Sequence, residues 1–215
     1  MRHLLFVLAL ACCPTVAFAA CPRSGSNLNP DTGGIADMNL CIAAAGDGDT
    51  INIPAGTYTY SGDAGVSTNA LYWAAPPNVT IKGAGIGSTI IVDNHDRSSY
   101  DGGMWNITTN GSGTFRLTGF TLRLTGTATS NGSLRLGGSS QQFRMDNVYI
   151  DNVSHFSVLI VSTLSGVIDH NTFDTSSSSA SSAFKIFGTD NVAWSSQPDL
   201  EPATSFSSKT TRILG

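Results

Sequence analysis

Two aspartates and two arginines recur at matching places in this chain. Asp146 and Asp169 each follow an apolar residue, in Met145-Asp146-Asn147-Val148-Tyr149-Ile150 and in Ile168-Asp169-His170-Asn171-Thr172-Phe173. Arg144 immediately precedes the first of these segments. Arg116 precedes an earlier one of the same form, Leu117-Thr118-Gly119-Phe120-Thr121-Leu122. If the segments stack as neighbouring strands, the two carboxylates point outward about 4.8 Å apart at the backbone. Carboxylates that close share a proton, splay into water or hold a cation. Glycan hydrolysis uses a carboxylate pair roughly 5–10 Å apart. Asp146 and Asp169 are therefore the candidate catalytic residues. Arg116 and Arg144, stacked one place earlier, are candidates to meet a substrate carboxylate. His95, Asp96 and Arg97 are further binding candidates, in the polar run Asp93-Asn94-His95-Asp96-Arg97 that opens a loop. The plain alternative for all of these is solvated ladder charge and turn-forming polarity. His155 reads as a turn residue. Among the aromatics able to stack on sugar rings, Trp105, Tyr100 and Tyr72, core is the commoner fate, and Tyr72 with Trp73 reads as core. No metal-ligand cluster or nucleophile elbow is present.

The elements that must position these residues form a repeat. A fourth segment, Ile81-Lys82-Gly83-Ala84-Gly85-Ile86, fits the same template, with apolar residues at the first and sixth places. The four first places, 81, 117, 145 and 168, are 36, 28 and 23 residues apart. Strict strand alternation would send residues five apart to opposite faces, so a corner must lie between them. The third place holds Gly83, Gly119, Asn147 and His170, residue types that tolerate positive φ. A left-handed residue there turns the chain and brings both apolar residues inward. Coils of somewhat over 20 residues, with the surplus in loops, would bury a continuous core by stacking. No amphipathic helix pattern separates the strands, which excludes an α/β reading. A β-sandwich would need hairpin turns, whereas the breaks here recur at one fixed slot. The nearest helical candidate is Asp37–Ala45, a short cap before the first coil.

Composition sets the surroundings. Only 12% of the chain is charged while 40% is hydrophobic, which is unlike a disordered chain. The net charge of −4 carries no basic footprint for nucleic acid. Arg2 and His3 lead into an apolar run from Leu4 to Ala11, and Ala17-Phe18-Ala19 follows as a cleavage site. That pattern is a secretory signal over residues 1–19, too short for a membrane span. Lipidation at Cys21 is the weaker alternative, since Phe18 is bulky for that motif. No later stretch spans a bilayer, so the expected location is outside the cell, in the periplasm or on the surface. Cleavage removes Cys12 and Cys13 and leaves Cys21 and Cys41, which in an oxidising compartment would pair. That disulfide would contribute roughly 3 kcal/mol to the N-terminal cap.

The run Gly48-Asp49-Thr50-Ile51-Asn52-Ile53-Pro54-Ala55-Gly56-Thr57-Tyr58 follows the helical cap and precedes Val79-Thr80-Ile81-Lys82-Gly83-Ala84-Gly85. This entrance resembles that of the pectate-lyase-like right-handed β-helix superfamily. The strands around Met145 and Ile168 are similar to its internal coils. The likeness runs over residues 37–194 and specifies a fold rather than an activity. It implies an all-β, right-handed single-stranded parallel β-helix (solenoid) with a short N-terminal capping helix. Residues 20–45 form the cap and 46–200 an incomplete helix. It also implies a secreted, monomeric protein that interacts with extracellular polysaccharide, without a complete catalytic set in this chain. The alternatives are the N-terminal part of a polysaccharide lyase or glycoside hydrolase, and a surface or adhesion β-helix. No cofactor is expected; calcium enters only if the chemistry is lyase-like.

Residues 201–215 fit no template and read as a foreign or disordered tail. Back-translated and read one nucleotide earlier, they can encode GTGNFFFIEDNTNFG, which resembles another coil. The expectation is a frameshift after Leu200 that cut a longer protein short.

Overall fold

The computed structural model describes residues 21–31, 34–61, 71–94, 104–111, 113–126, 134–151, 158–161, 164–174, 184–187, 205–209 and 212–214. The signal segment expected over 1–19 lies outside them. The described residues are mostly β. In chain order they form β1 (Arg23–Ser24), β2 (Asn27–Leu28), α1 (Ile35–Ala43), β3 (Thr50–Ile53), β4 (Gly56–Tyr60), β5 (Leu71–Ala74), β6 (Val79–Gly83) and β7 (Thr89–Asp93). There follow β8 (Trp105–Thr109), β9 (Thr114–Leu124), β10 (Leu134–Gly138), β11 (Gln142–Asp151) and β12 (Val158–Val161). The last are β13 (Ser165–Asp169), β14 (Thr172–Asp174), β15 (Phe184–Phe187), β16 (Ser205–Lys209) and β17 (Arg212–Leu214).

The pairing joins strands that are distant in sequence. The main sheet runs β1-β2-β3-β6-β9-β11-β13-β16, with β4, β7, β14 and β17 beside its second halves; a second sheet runs β15-β12-β10-β8-β5. Among the described residues only the β1–β2 hairpin is antiparallel. β6 lies parallel to β9 with Ile81 on Leu117, and β9 lies parallel to β11 with Leu117 on Met145. β11 in turn sets Met145 on Ile168 of β13. First places thus stack on first places, and Ile51, Ile81, Leu117, Met145 and Ile168 form one buried column.

The corner slot behaves as its residue types require in three of four repeats. Gly119, Asn147 and His170 have φ of 75°, 52° and 53°. Within β9 and β11 this single left-handed residue resets the alternation, so Leu117 and Leu122, like Met145 and Ile150, are all buried. Gly83 is glycine for a different reason. Its φ is not positive, but a Cβ there would collide with the Gly119 carbonyl oxygen and sit 2.9 Å from Phe120 Cβ. The sixth place of that first repeat also differs from expectation. Ile86 is exposed, and Ile91 of β7 takes the register of Leu122. The loop 84–88 between them absorbs the extra residues.

The corners break the backbone ladder, and buried side chains close it. Val148 N–H donates to Asn171 Oδ1 at 2.9 Å, and Asn171 Nδ2 donates to the Met145 carbonyl at 2.8 Å. Asn171 thus bridges the corner of the preceding repeat while itself fully buried. Thr89 does similar work lower down, accepting from Ala84 N–H at 2.8 Å and donating to Pro54 O at 3.0 Å.

Aromatic rings fill the interior. Phe115 stacks on Phe143 at 6.3 Å between centroids, and Trp73 tilts against Phe115 at 6.2 Å. Gly166 follows Phe143 in register, and a Cβ there would collide with the Phe143 carbonyl oxygen. The helix begins at Ile35 rather than Asp37 and ends at Ala43. It is tied down by the expected disulfide, Cys21–Cys41, and by Trp105 Nε1, which donates to Asn39 Oδ1 at 3.1 Å. Arg23 closes the cap with two bonds to the buried Asp49, 2.8 and 2.7 Å long.

Residues 201–215 contribute β16 and β17, parallel to β13 and β14, and so are not wholly outside the repeat. Phe206 takes the register of Gly166 and Ile213 that of Phe173. The template missed this because the first place there is Ser208, a polar residue.

Asn171→Ala leaves a buried donor and a buried acceptor of the backbone without partners, so it should cost about 2–3 kcal/mol. Urea unfolding monitored by circular dichroism measures this; a loss no larger than that of an exposed Asn52→Ala control would refute the bridging role.

Candidate functional site

The register brings the four predicted ladder residues together. Asp146 lies on Asp169 and Arg116 on Arg144. Their side chains do not behave as free outward charges, however. Asp146 and Asp169 are only 2% and 4% exposed. Arg116 donates from Nε and Nη2 to Asp146 Oδ1 and Oδ2, at 2.9 and 2.6 Å. Asn147 Nδ2 adds a third bond to Asp146 Oδ2 at 3.2 Å. Arg144 Nη2 donates to Asp169 Oδ2 at 3.1 Å, and its Nε lies 3.5 Å from Asp146 Oδ2. His170 Nδ1 is 3.2 Å from the same Asp169 oxygen.

Each arginine therefore reaches diagonally, to the acid two residues beyond its register partner on the next strand. The expectation that the two acids share a proton or hold a cation gives way to ion pairing. An arginine from the preceding strand lies over each carboxylate and removes it from water. Burial alone would raise the Asp146 carboxyl; the bond and charge of Arg116, the charge of Arg144 and a bond from Thr118 outweigh it and hold the group below its ordinary value. A carboxyl held ionised in this way is ill suited to act as a proton donor. Arg116 correspondingly holds its proton more firmly, chiefly through Asp146.

A second ladder runs beyond the corner. Arg123 Nε donates to Asp151 Oδ2 at 2.6 Å. Tyr149 Oη donates to Asp174 Oδ2 at 2.8 Å, and this bond, with burial and the nearby Asp151 charge, pushes the phenol up to about 12.

The other predicted residues fare differently. His95, Asp96 and Arg97 lie outside the described residues, as do Tyr100 and His155. Of that polar run, Asp93 ends β7 buried, and Asn94 Oδ1 accepts from Thr125 Oγ1 at 2.9 Å, so both serve the fold. Trp105 is core, buried with its indole bonded to Asn39. Tyr72 reverses expectation: Trp73 is buried, while Tyr72 is 67% exposed. Alternation along β5 permits only one of the two neighbours to face inward.

Tyr72 heads an outward row on the second sheet that the sequence reading missed. In register with it lie Asn106 of β8 and Arg135 of β10, both half-buried, and then the positions of Leu159 and Lys185. The inward neighbours Leu71, Trp73, Ile107, Leu134 and Leu136 are core. The row presents an aromatic ring, an amide and a guanidinium at about 4.8 Å intervals. Its only sequence signal was the parity of strands four or five residues long.

Among the described residues no group of three His, Cys, Asp or Glu side chains is placed to hold a metal ion, and no helix is long and apolar enough to cross a membrane. No family model, curated protein or solved structure matches the chain.

The ladders predict a two-sided pH profile. Asp49, held down chiefly by Arg23, and Asp146 both have lowered pKa values, so their stabilisation is complete above the ordinary carboxylate value. It is lost as pH falls through the lowered values. Tyr149 is raised from 10.0 to about 12, so its share is complete below pH 10 and lost between there and pH 12. The melting temperature should be level near neutrality, fall below about pH 4, and fall again above pH 10. Asp146→Ala should cost about 2–4 kcal/mol, as breaking a buried pair does when its cation can rehydrate, and Tyr149→Phe should blunt the alkaline fall. An acid limb unchanged in Asp146→Ala would contradict the ladder.

Proposed function

We propose that this chain is an exported right-handed parallel β-helix of the pectate-lyase-like kind, and that it binds extracellular polysaccharide without cleaving it. Parallel pairing between strands a full repeat apart supports the fold, together with positive φ at one recurring slot. The signal-like residues 1–19 support export.

The observation that carries the binding reading is the row Tyr72, Asn106 and Arg135. An extended polymer lying across the strands meets one side chain per strand, at a spacing comparable to a sugar ring. Tyr72 offers a face for stacking on ring C–H groups, and the amide and guanidinium offer hydrogen bonds to hydroxyls or carboxylates. Binding is favoured over hydrolysis because Asp146 and Asp169, the acids best placed by register, are engaged by arginines.

Affinity electrophoresis against pectins, alginate, xylan and glucans tests this. Retardation by at least one polymer, without release of reducing ends or unsaturated products, is expected. Tyr72→Ala should weaken it about 3- to 10-fold, the loss of one stacking contact. Retardation by none would end the proposal; product release would replace it with the lyase or hydrolase reading. In a secreting host, the exported chain should begin at Ala20 by N-terminal sequencing.

A further inference from the structure

We propose that the end of the Arg–Asp ladder, formed by Arg144, Asp169 and His170, is a second saccharide subsite that takes a neutral, hydroxyl-rich ring. This rests on the polysaccharide-binding reading above and adds to it a place and a chemistry.

Arg144 Nε and Asp169 Oδ1 are both buried, and neither has a hydrogen-bond partner among the described residues. One is a donor and the other an acceptor. Leaving either unsatisfied is costly, and nearly every buried polar atom in a folded protein finds a partner. A hydroxyl donates and accepts at once, so a single sugar hydroxyl satisfies both. A carboxylate satisfies only the arginine and sets a second negative charge beside the unpaired oxygen of Asp169.

Charge points the same way. Arg116 and Arg144 are matched by Asp146 and Asp169, two of each sign, in pairs. The patch therefore has little net field with which to hold an acidic sugar. This departs from the expectation that the two arginines meet a uronate.

The surroundings allow a ring to settle. The Arg116 and Arg144 side chains are 38% and 43% exposed, and their bonds to the aspartates use Nε and Nη2 of Arg116 and Nη2 of Arg144, so both guanidinium groups reach water where neighbouring hydroxyls would lie. His170, at the left-handed corner and 54% exposed, is held against Asp169 and borders the same place. Arg144 is the movable element, since its outer half is in water while Asp169 is fixed in the strand. The patch lies on the main sheet, whereas Tyr72 and Arg135 lie on the second, so the two sites can be altered separately.

The test uses the ¹⁵N-labelled protein and observes the Arg144 Nε–H resonance. The probes are the hexaoses of glucose, xylose, mannose and galactose, beside hexagalacturonate. A neutral hexaose should shift that resonance saturably, and hexagalacturonate should shift it less. Asp169→Asn should weaken neutral binding about tenfold. Because a buried substitution can unfold the chain, Arg144→Lys is the second variant: it keeps the charge, removes the Nε donor, and should weaken binding similarly at an unchanged melting temperature. The proposal is overturned by stronger binding of hexagalacturonate at this resonance, or by wild-type affinity in Arg144→Lys. A resonance that no sugar moves and that exchanges only with a buried water also overturns it. Loss of binding in Tyr72→Ala with none in Arg144→Lys would sink this subsite and leave the second-sheet reading standing; no binding of any glycan would sink both.

Discussion

Parallel, in-register pairing between repeats governs everything else in this chain. Each residue lies about 4.8 Å from the residue in the same slot of the next repeat, so a slot that recurs with one residue type stacks that type on itself. For apolar slots that is favourable at once, and Ile51, Ile81, Leu117, Met145 and Ile168 form a column without gaps. For charged slots it is adverse, since arginine falls on arginine and aspartate on aspartate. The ladder resolves this by offset. Arg116 reaches past Arg144 to Asp146, and Arg144 reaches past Val167 to Asp169. Tyr149 reaches past Thr172 to Asp174 by the same diagonal step. Alternating signs then run along the stack, and like charges are screened by the unlike charge between them.

The same register makes the corner a shared problem. One left-handed residue must reset strand parity in every repeat, and the corners must also pass one another. Where the backbones come closest, only glycine fits, as at Gly83 over Gly119. Where more room remains, Asn147 and His170 adopt positive φ at a cost glycine would avoid. Their side chains return part of that cost, since Asn147 bonds to Asp146 and His170 lies against Asp169. The corner and the ladder are therefore one structure. Asn171 completes it by bonding to the two backbone groups that the Asn147 corner turns out of the ladder.

Much of this was legible from residue type and spacing. The stacking of Asp146 on Asp169, the positive φ of Gly119, Asn147 and His170, and the pairing of Cys21 with Cys41 all follow from local patterns. What escaped depends on three dimensions. An outward slot was taken to mean an exposed one, but Asp146 is buried because Arg116 comes from another strand to cover it. Ile86 and Ile91 both suit the sixth place, and only the length of the loop at 84–88 decides between them. Tyr72 and Trp73 are equally aromatic, and which faces inward is set by the register of β5 on β8. Ser208 hid the repeat in β16 because the template asked for an apolar residue that the pairing does not require.

The division of labour between the two sheets bears on what the protein does. On the main sheet, Arg116, Arg144 and Arg123 are each paired with an acid, and Asp146 and Asp169 are buried beneath their arginines, so that ladder contributes stability and offers little field. On the second sheet, the short strands carry one polar or aromatic residue each between buried neighbours, and Tyr72 has no cover comparable to that of Asp146. A large aromatic ring left two-thirds exposed gains nothing for folding, whereas the same ring over a sugar face gains contact and expels water. The geometry that holds the repeats together is therefore the same geometry that pairs Asp146 and Asp169 with arginines from the preceding strands.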